Sequence, residues 1–336
     1  MKANALFLNQ AGRLRSGWRL GIFTIIFFVV AFLATSLVRV VYVLALWAHA
    51  NDALSDRLQD LVSRILLLAS AVLAGWICNH WLEGLPWRAF GLSFHAKWLR
   101  DLCAGSLIGF ASLALAVLIA FATGGLRFGQ SVNGMYFAVL QTLIVAAVIF
   151  VVAALAEEAM FRGYPLQTLN RAGLMWLAIL LTSVPFAIIH LRNPHATAYS
   201  SINTGLAGVW LAAAYLRTRS LWFPLGVHWA WNWAQGSIFG SPVSGITNLV
   251  AHPLLRASDH GPAWLTGGSY GLEGGIACTI TLVFSTLFIW RTRLVSATTE
   301  MKQLTSHENP TPTKKNYLVF RSSDDPSRIG GGRPPS

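Results

Sequence analysis

Eight stretches of the chain are apolar over 15 to 22 consecutive residues: 20–37, 65–81, 102–123, 137–156, 174–189, 202–216, 221–239 and 274–290. A bilayer core about 30 Å thick takes about 20 apolar residues as a helix. In lipid a backbone with no water beside it must bond to itself, which a helix does. The pattern therefore predicts an all-α fold, a polytopic membrane helix bundle of about eight transmembrane helices. No cleaved signal peptide is expected, since the first apolar run is too long and the 19 residues before it are too polar. Residues 239–273, with Pro242, Pro253, Pro262 and several Gly, read as an external loop. From 296 to 336 the chain turns polar and rich in Pro, Gly, Ser and Thr, and reads as a disordered cytoplasmic tail. The expected organisation is an N-terminal transmembrane region at 1–136, a core at 137–239, the loop and last span at 240–295, and the tail at 296–336.

Composition agrees with the hydropathy pattern. Of 336 residues 54% are hydrophobic and 11% charged, against about 25% charged in a soluble domain. Net charge changes the picture more, because +12 suggests a nucleic-acid binder until the basic residues are placed. With the amino terminus inside, nineteen of the 25 Lys and Arg fall on the cytoplasmic side, Arg19, Arg162 and Arg171 among them. Six, including Arg39, Arg64, Arg127 and Arg256, fall outside. That bias is the positive-inside rule with both termini cytoplasmic, as in a bacterial inner (plasma) membrane. The partner implied is membrane lipid, with anionic headgroups adding to the attraction, and not nucleic acid. Cys78, Cys103 and Cys278 show no paired spacing and read as small buried apolar residues.

Two acids stand where acids are costly. Glu157 and Glu158 follow about twenty apolar residues, with no helix breaker before Gly163. An isolated pair at a span's end is ordinarily solvated, whereas an ionisable residue inside a span is a candidate functional group. Arg162 lies four residues after Glu158 and shares its helix face. Glu157 is turned about a hundred degrees away. His190 ends a later apolar run, and His228 is followed four residues on by Asn232. At 1.5 Å per residue Glu157 and His190 lie about 22 to 26 Å from the turn at Ala172 and Gly173, at one level of an antiparallel pair. His228 lies about 12 Å past the turn ending at Ser220, and all three depths agree if the first hairpin projects by about three turns. One Glu, two His and one Asn are therefore expected to meet below the cytoplasmic surface. His252, Asp259, His260 and Glu273 also look like ligands, but they fall in the external loop and are not assigned to a metal. Trp229, Trp231 and Trp233 read as packing and interfacial anchors.

The runs Glu157-Glu158-Ala-Met-Phe-Arg162, Phe186-Ala-Ile-Ile-His190 and His228-Trp-Ala-Trp-Asn232 resemble the three ordered motifs of the CPBP family of intramembrane proteases, also called the Abi or CAAX-protease family. The resemblance covers about residues 137–239 and meets every motif position. It implies an intramembrane endopeptidase in which Glu157 takes a proton from water and returns one to the leaving amine. Glu158 and Arg162 would form a supporting ion pair. His190 would position the water or ligate a metal, and His228 and Asn232 would donate to the oxyanion. Phe186 supports by packing. The family is commonly described as metalloproteases, and His190, His228 and Glu157 would be the ligands if zinc is bound, although no His-Glu-x-x-His is present. The implied substrate is a peptide or protein, lipid-modified if of CAAX type, or a bacteriocin-like peptide. A non-catalytic immunity or scaffold protein retaining the motifs is the alternative. A solute transporter would show broken helices and internal repeats, and neither is evident in the sequence.

Overall fold

A computed structural model describes residues 4–9, 11–46, 55–130 and 135–306. After a single turn, α1 (Asn4–Phe7), the chain forms α2 (Ser16–Leu46), α3 (Ser55–Ile77), α4 (Trp98–Ala122) and α5 (Tyr136–Glu158). The core continues as α6 (Tyr164–Arg171), α7 (Met175–His190), α8 (Ala198–Thr218) and α9 (Trp222–Trp233). A short turn, α10 (Ala263–Thr266), precedes α11 (Ile276–Arg291) and α12 (Thr299–Leu304). Each of the eight apolar runs falls on a helix. Four helical segments, Ser16–Val40, Gln59–Leu82, Trp98–Ala122 and Tyr136–Arg171, are long and apolar enough to cross a membrane. Met175–His190 and Ile276–Arg291 are apolar but shorter. Outward-facing Phe28, Phe32, Leu107, Leu118, Ile144 and Phe284 stay exposed, as expected of a surface solvated by hydrocarbon.

Two cores hold the bundle. One joins α4, α8, α9 and α11 through residues such as Leu113, Trp210, Val227 and Leu282. The other joins α2, α3, α6, α7 and α8 through Phe23, Ala74, Tyr164, Ile179 and Tyr215. Helices α4 and α9 approach backbone to backbone. A methyl at Gly105 or Gly109 would collide with the carbonyl of Phe223 or Val227, and one at Gly226 with that of Leu102. Small residues of this kind let helices associate in lipid, where the hydrophobic effect does not drive them together. Trp229 and Trp233 pin α9 to α5 by donating Nε1–H to the carbonyls of Ala147 and Leu143, each at 3.0 Å.

The connections are more ordered than their composition implies. Strands β1 (Leu126–Gln130) and β2 (Leu255–Asp259) pair antiparallel, Leu126 opposite Asp259 and Gln130 opposite Leu255. This ribbon ties the α4–α5 connection to the loop that follows α9. The polar segment from residue 296 begins with α12, capped by the Thr298 side chain, with Met301 buried under Ser93. The remainder of the expected tail, 307–336, lies outside the described residues.

Three placements correct the sequence reading. Arg19 and Arg171, expected at the aqueous surface, are buried with Glu83 just beyond α3. Arg171 Nε and Thr168 Oγ1 donate to the two Glu83 oxygens at 2.7 and 2.6 Å, and Arg19 Nη1 stands 3.4 Å from Oε1. Burial alone would raise the Glu83 carboxyl, but Arg171 and Arg19 overcome it and hold it at about 2. Long side chains satisfy this charge by reaching inward, which hydropathy does not register. Cys103 is exposed on the lipid-facing side of α4 rather than buried, while Cys78 and Cys278 are buried. Glu273 separates from His252, Asp259 and His260 and lines an internal cavity, as described below.

Candidate active site

Glu157 and Glu158 end α5, and the helix does not stop there. It widens into a π-turn, Ala159–Gly163, before α6. Pro165 has no N–H to give the Phe161 carbonyl, and the Gln167 side chain instead reaches the Arg162 carbonyl at 3.3 Å. Such wide turns frequently occur at functional sites because they re-aim side chains without ending the helix. Here Arg162 turns inward with no solvent exposure. Its Nη1 donates to Glu158 Oε1 at 3.1 Å, its Nη2 to the Gly208 carbonyl at 3.1 Å, and its guanidinium lies 4.6 Å above the Phe186 ring.

The two histidines arrive from α7 and α9. His190 Nδ1 lies 2.7 Å from the Phe186 carbonyl, which only accepts, so Nδ1 carries the hydrogen and Nε2 points away. His228 Nδ1 stands 2.9 Å from Glu158 Oε1. Both Nε2 atoms then face Glu157, at 4.0 Å from His190 and 3.7 Å from His228 to Oε2. That oxygen is buried without a hydrogen-bond partner. Phe186 is a wedge in this cluster. Its ring centroid is 4.7 Å from His190 and 6.2 Å from His228, and Phe161 packs edge-on at 5.3 Å. Asn232, one turn beyond His228, lines the same cavity of about 200 Å³ as Glu157, Phe186, His190 and His228.

Residues that sequence reasoning did not assign complete the walls. Arg64 of α3, bonded to Asp60 at 2.7 Å, borders the cavity, as do Asn193, Asn203, Ser244 and Glu273. Ser244 donates both its backbone N–H and, at 2.8 Å, its hydroxyl to Glu273 Oε2. Asn203 fixes the Glu273 carbonyl at 2.8 Å and that of Gly275 at 2.9 Å. The only sequence signal for this wall is that Glu273 immediately precedes the last apolar run. Trp210 and Trp231 pack edge to face, 5.5 Å between centroids, and supply an apolar side.

Zinc holds N and O ligands at about 2.0–2.1 Å, which in a tetrahedron sets them about 3.3 Å apart. Both imidazoles stand further than that from Glu157. Among the described residues no three His, Cys, Asp or Glu side chains are grouped to hold a metal ion. As folded, Glu157 Oε2 and the two imidazole Nε2 atoms surround a small space, standing further apart than the ligands of a bound zinc ion would.

No curated protein and no solved structure matches the chain. Residues 139–234 match the family model described as Rce1-like, type II CAAX prenyl endopeptidase Rce1-like. Every motif residue from Glu157 to Asn232 lies inside that match, whereas Arg64, Ser244 and Glu273 lie outside it. The segment that builds the cluster is thus the part of the chain that is similar to the type II CAAX prenyl endopeptidases.

Proposed function

We propose that this chain is a glutamate-type intramembrane endopeptidase. The observation that carries the reading is the convergence of Glu157 Oε2 with two imidazole Nε2 atoms at 3.7 and 4.0 Å inside a walled cavity. Polar atoms facing one another at such distances are bridged well by one water, which can both give and accept hydrogen bonds.

Charge distinguishes the two imidazoles. Glu157 and Glu158 bring two negative charges and Arg162 one positive, so a proton on His228 neutralises the cluster. His228, held by Glu158 through Nδ1, then presents an Nε2–H donor. His190, bonded to a neutral carbonyl, stays neutral and presents a lone pair. The water gives one hydrogen to Glu157 and the other to His190, and its oxygen attacks the peptide carbonyl. A C–O bond forms, Glu157 takes the water's proton, and the oxyanion receives hydrogen bonds from His228 Nε2–H and the Asn232 amide. Collapse breaks the C–N bond as Glu157 passes its proton to the leaving nitrogen, giving an acid and an amine. Glu158 and Arg162 are positioning residues for His228.

The substrate proposed is a membrane-presented peptide or protein, lipid-modified if of CAAX type. The proposed orientation has both termini cytoplasmic, in a bacterial inner membrane. The test compares membrane peptides released by the parent protein and by Glu157→Gln at equal membrane abundance. Peptides that appear with the parent and vanish with the variant are expected. An unchanged peptide profile would refute the endopeptidase reading.

A further inference from the structure

Three carboxylates border or support the cavity, and two of them have an Arg or His within ion-pair distance. Glu158 is bonded to Arg162 and His228, and Glu157 faces two imidazoles. Arg64, the other strong cation in the wall, is bonded to Asp60. Glu273 differs, because among the described residues its side-chain hydrogen bonds come from Ser244 alone, a backbone amide and a hydroxyl, both neutral, and the His190 and His228 imidazoles act on its charge without bonding to it. The wall it shares is mixed, with Asn193, Asn203 and Thr204 beside apolar Trp231, Val243 and Leu282.

We propose that Glu273, held by Ser244, forms an acidic subsite in the cavity wall that takes an ammonium or guanidinium group, so that a basic residue of the peptide is held beside the scissile bond. That the occupant belongs to a peptide rests on the endopeptidase reading; the cation preference does not. Ser244 engages one carboxylate oxygen and Asn203 fixes the backbone behind it, so the group is held in place with its other oxygen left for a ligand. Burial raises the Glu273 carboxyl above its ordinary value, although both Ser244 hydrogen bonds act to lower it. A bound cation removes that cost, and a hydrogen bond between charged partners exceeds one between neutral groups. Glu273 and Ser244 lie beyond residues 139–234, so this preference is a property of the added wall and not of the matched segment.

The test uses the full chain in lipid nanodiscs and two probes of one shape, 4-fluorobenzylammonium and 4-fluorobenzyl alcohol, with binding read by fluorine NMR. The parent is expected to hold the cation about tenfold more tightly than the alcohol. Glu273→Gln, whose amide oxygen still accepts from Ser244, should bind the alcohol as before and lose the preference. Glu273→Asp, which keeps the charge, should retain it, and so should Glu157→Gln. Equal binding of both probes by the parent, or a preference that survives Glu273→Gln, would overturn the proposal. A preference lost in Glu157→Gln would also overturn it, since the cation would then sit at the catalytic carboxylate. Failure of Glu157→Gln to alter proteolysis would sink the endopeptidase reading and leave the probe result standing.

Discussion

Removing Arg162 should do more harm than removing Arg162 and the Glu158 charge together. Arg162 is fully buried, and its guanidinium satisfies Glu158 and the Gly208 carbonyl, each at 3.1 Å. Arg162→Met leaves the Glu158 carboxylate buried against His228 alone, and breaking such a pair by deleting one partner costs about 3–5 kcal/mol. In the double variant Arg162→Met/Glu158→Gln the fully buried charge at residue 158 is gone, and Glu157 still faces the same two imidazoles. Only the lost Arg162 bond to the Gly208 carbonyl, which keeps its own helical partner, and the lost cation–π contact with Phe186 persist, about 1–2 kcal/mol. The amide oxygen that Glu158→Gln introduces can still accept from His228 Nδ1, so the ring stays in place, but the carboxylate bonded to Nδ1, which favours the charged ring over the neutral one, is replaced by a neutral acceptor. Stability should therefore recover while turnover stays depressed by about a hundredfold or more, the usual effect of a lost oxyanion donor. Unfolding by SDS in mixed micelles, run beside a cleavage assay, separates the two effects. A double variant no more stable than the single one, or one with parental turnover, would refute the assignment of Glu158 to holding His228 charged.

Glu157→Gln should unfold no earlier than the parent in the same micelles, because a neutral amide costs less to bury than a carboxylate whose Oε2 has no hydrogen bond from the protein. Activity of purified protein should survive thorough chelation, with metal analysis finding less than one zinc per chain; loss on chelation and return with zinc would reverse the metal-free scheme. Gly109→Leu should destabilise by about 1–3 kcal/mol or more, seen as a lower Tm, since its side chain meets the Val227 carbonyl. Glu83 stabilises most above its ordinary value of 4.5, and that contribution, about 3 kcal/mol, is lost as pH falls toward about 2. The parent Tm should accordingly drop across that window more steeply than that of Glu83→Gln.

The helices were legible in the sequence because each is a long apolar run, and hydropathy responds to that alone. The cluster was legible because Glu157, Glu158, His190 and His228 stand out against apolar neighbours. Other features left no such mark. Arg19 and Arg171 are charges at span ends, and only the fold brings them to Glu83. The wide turn after Glu158 runs into Pro165 and Gln167 at the start of the next helix, and a window average blurs both. Glu273 sits among Gly in a loop, a context that ordinarily means solvent. What carries it into the cavity wall is a set of backbone bonds, such as Gly274 N–H to Gly271 and Gly245 N–H to Tyr270.

The β1–β2 ribbon also constrains the order of assembly. Its strands are far apart along the chain, with α5 to α9 between them. Closing so long a loop costs entropy that a few ladder bonds do not repay unless the intervening helices already hold its ends together. The ribbon therefore zips late, after the core helices have inserted and packed. Until it does, the loop bearing Ser244 has no tether at β2, and the chamber around Glu157 lacks its finished wall. The cluster of Glu157, His190 and His228 is complete before the wall that carries Glu273 and Ser244.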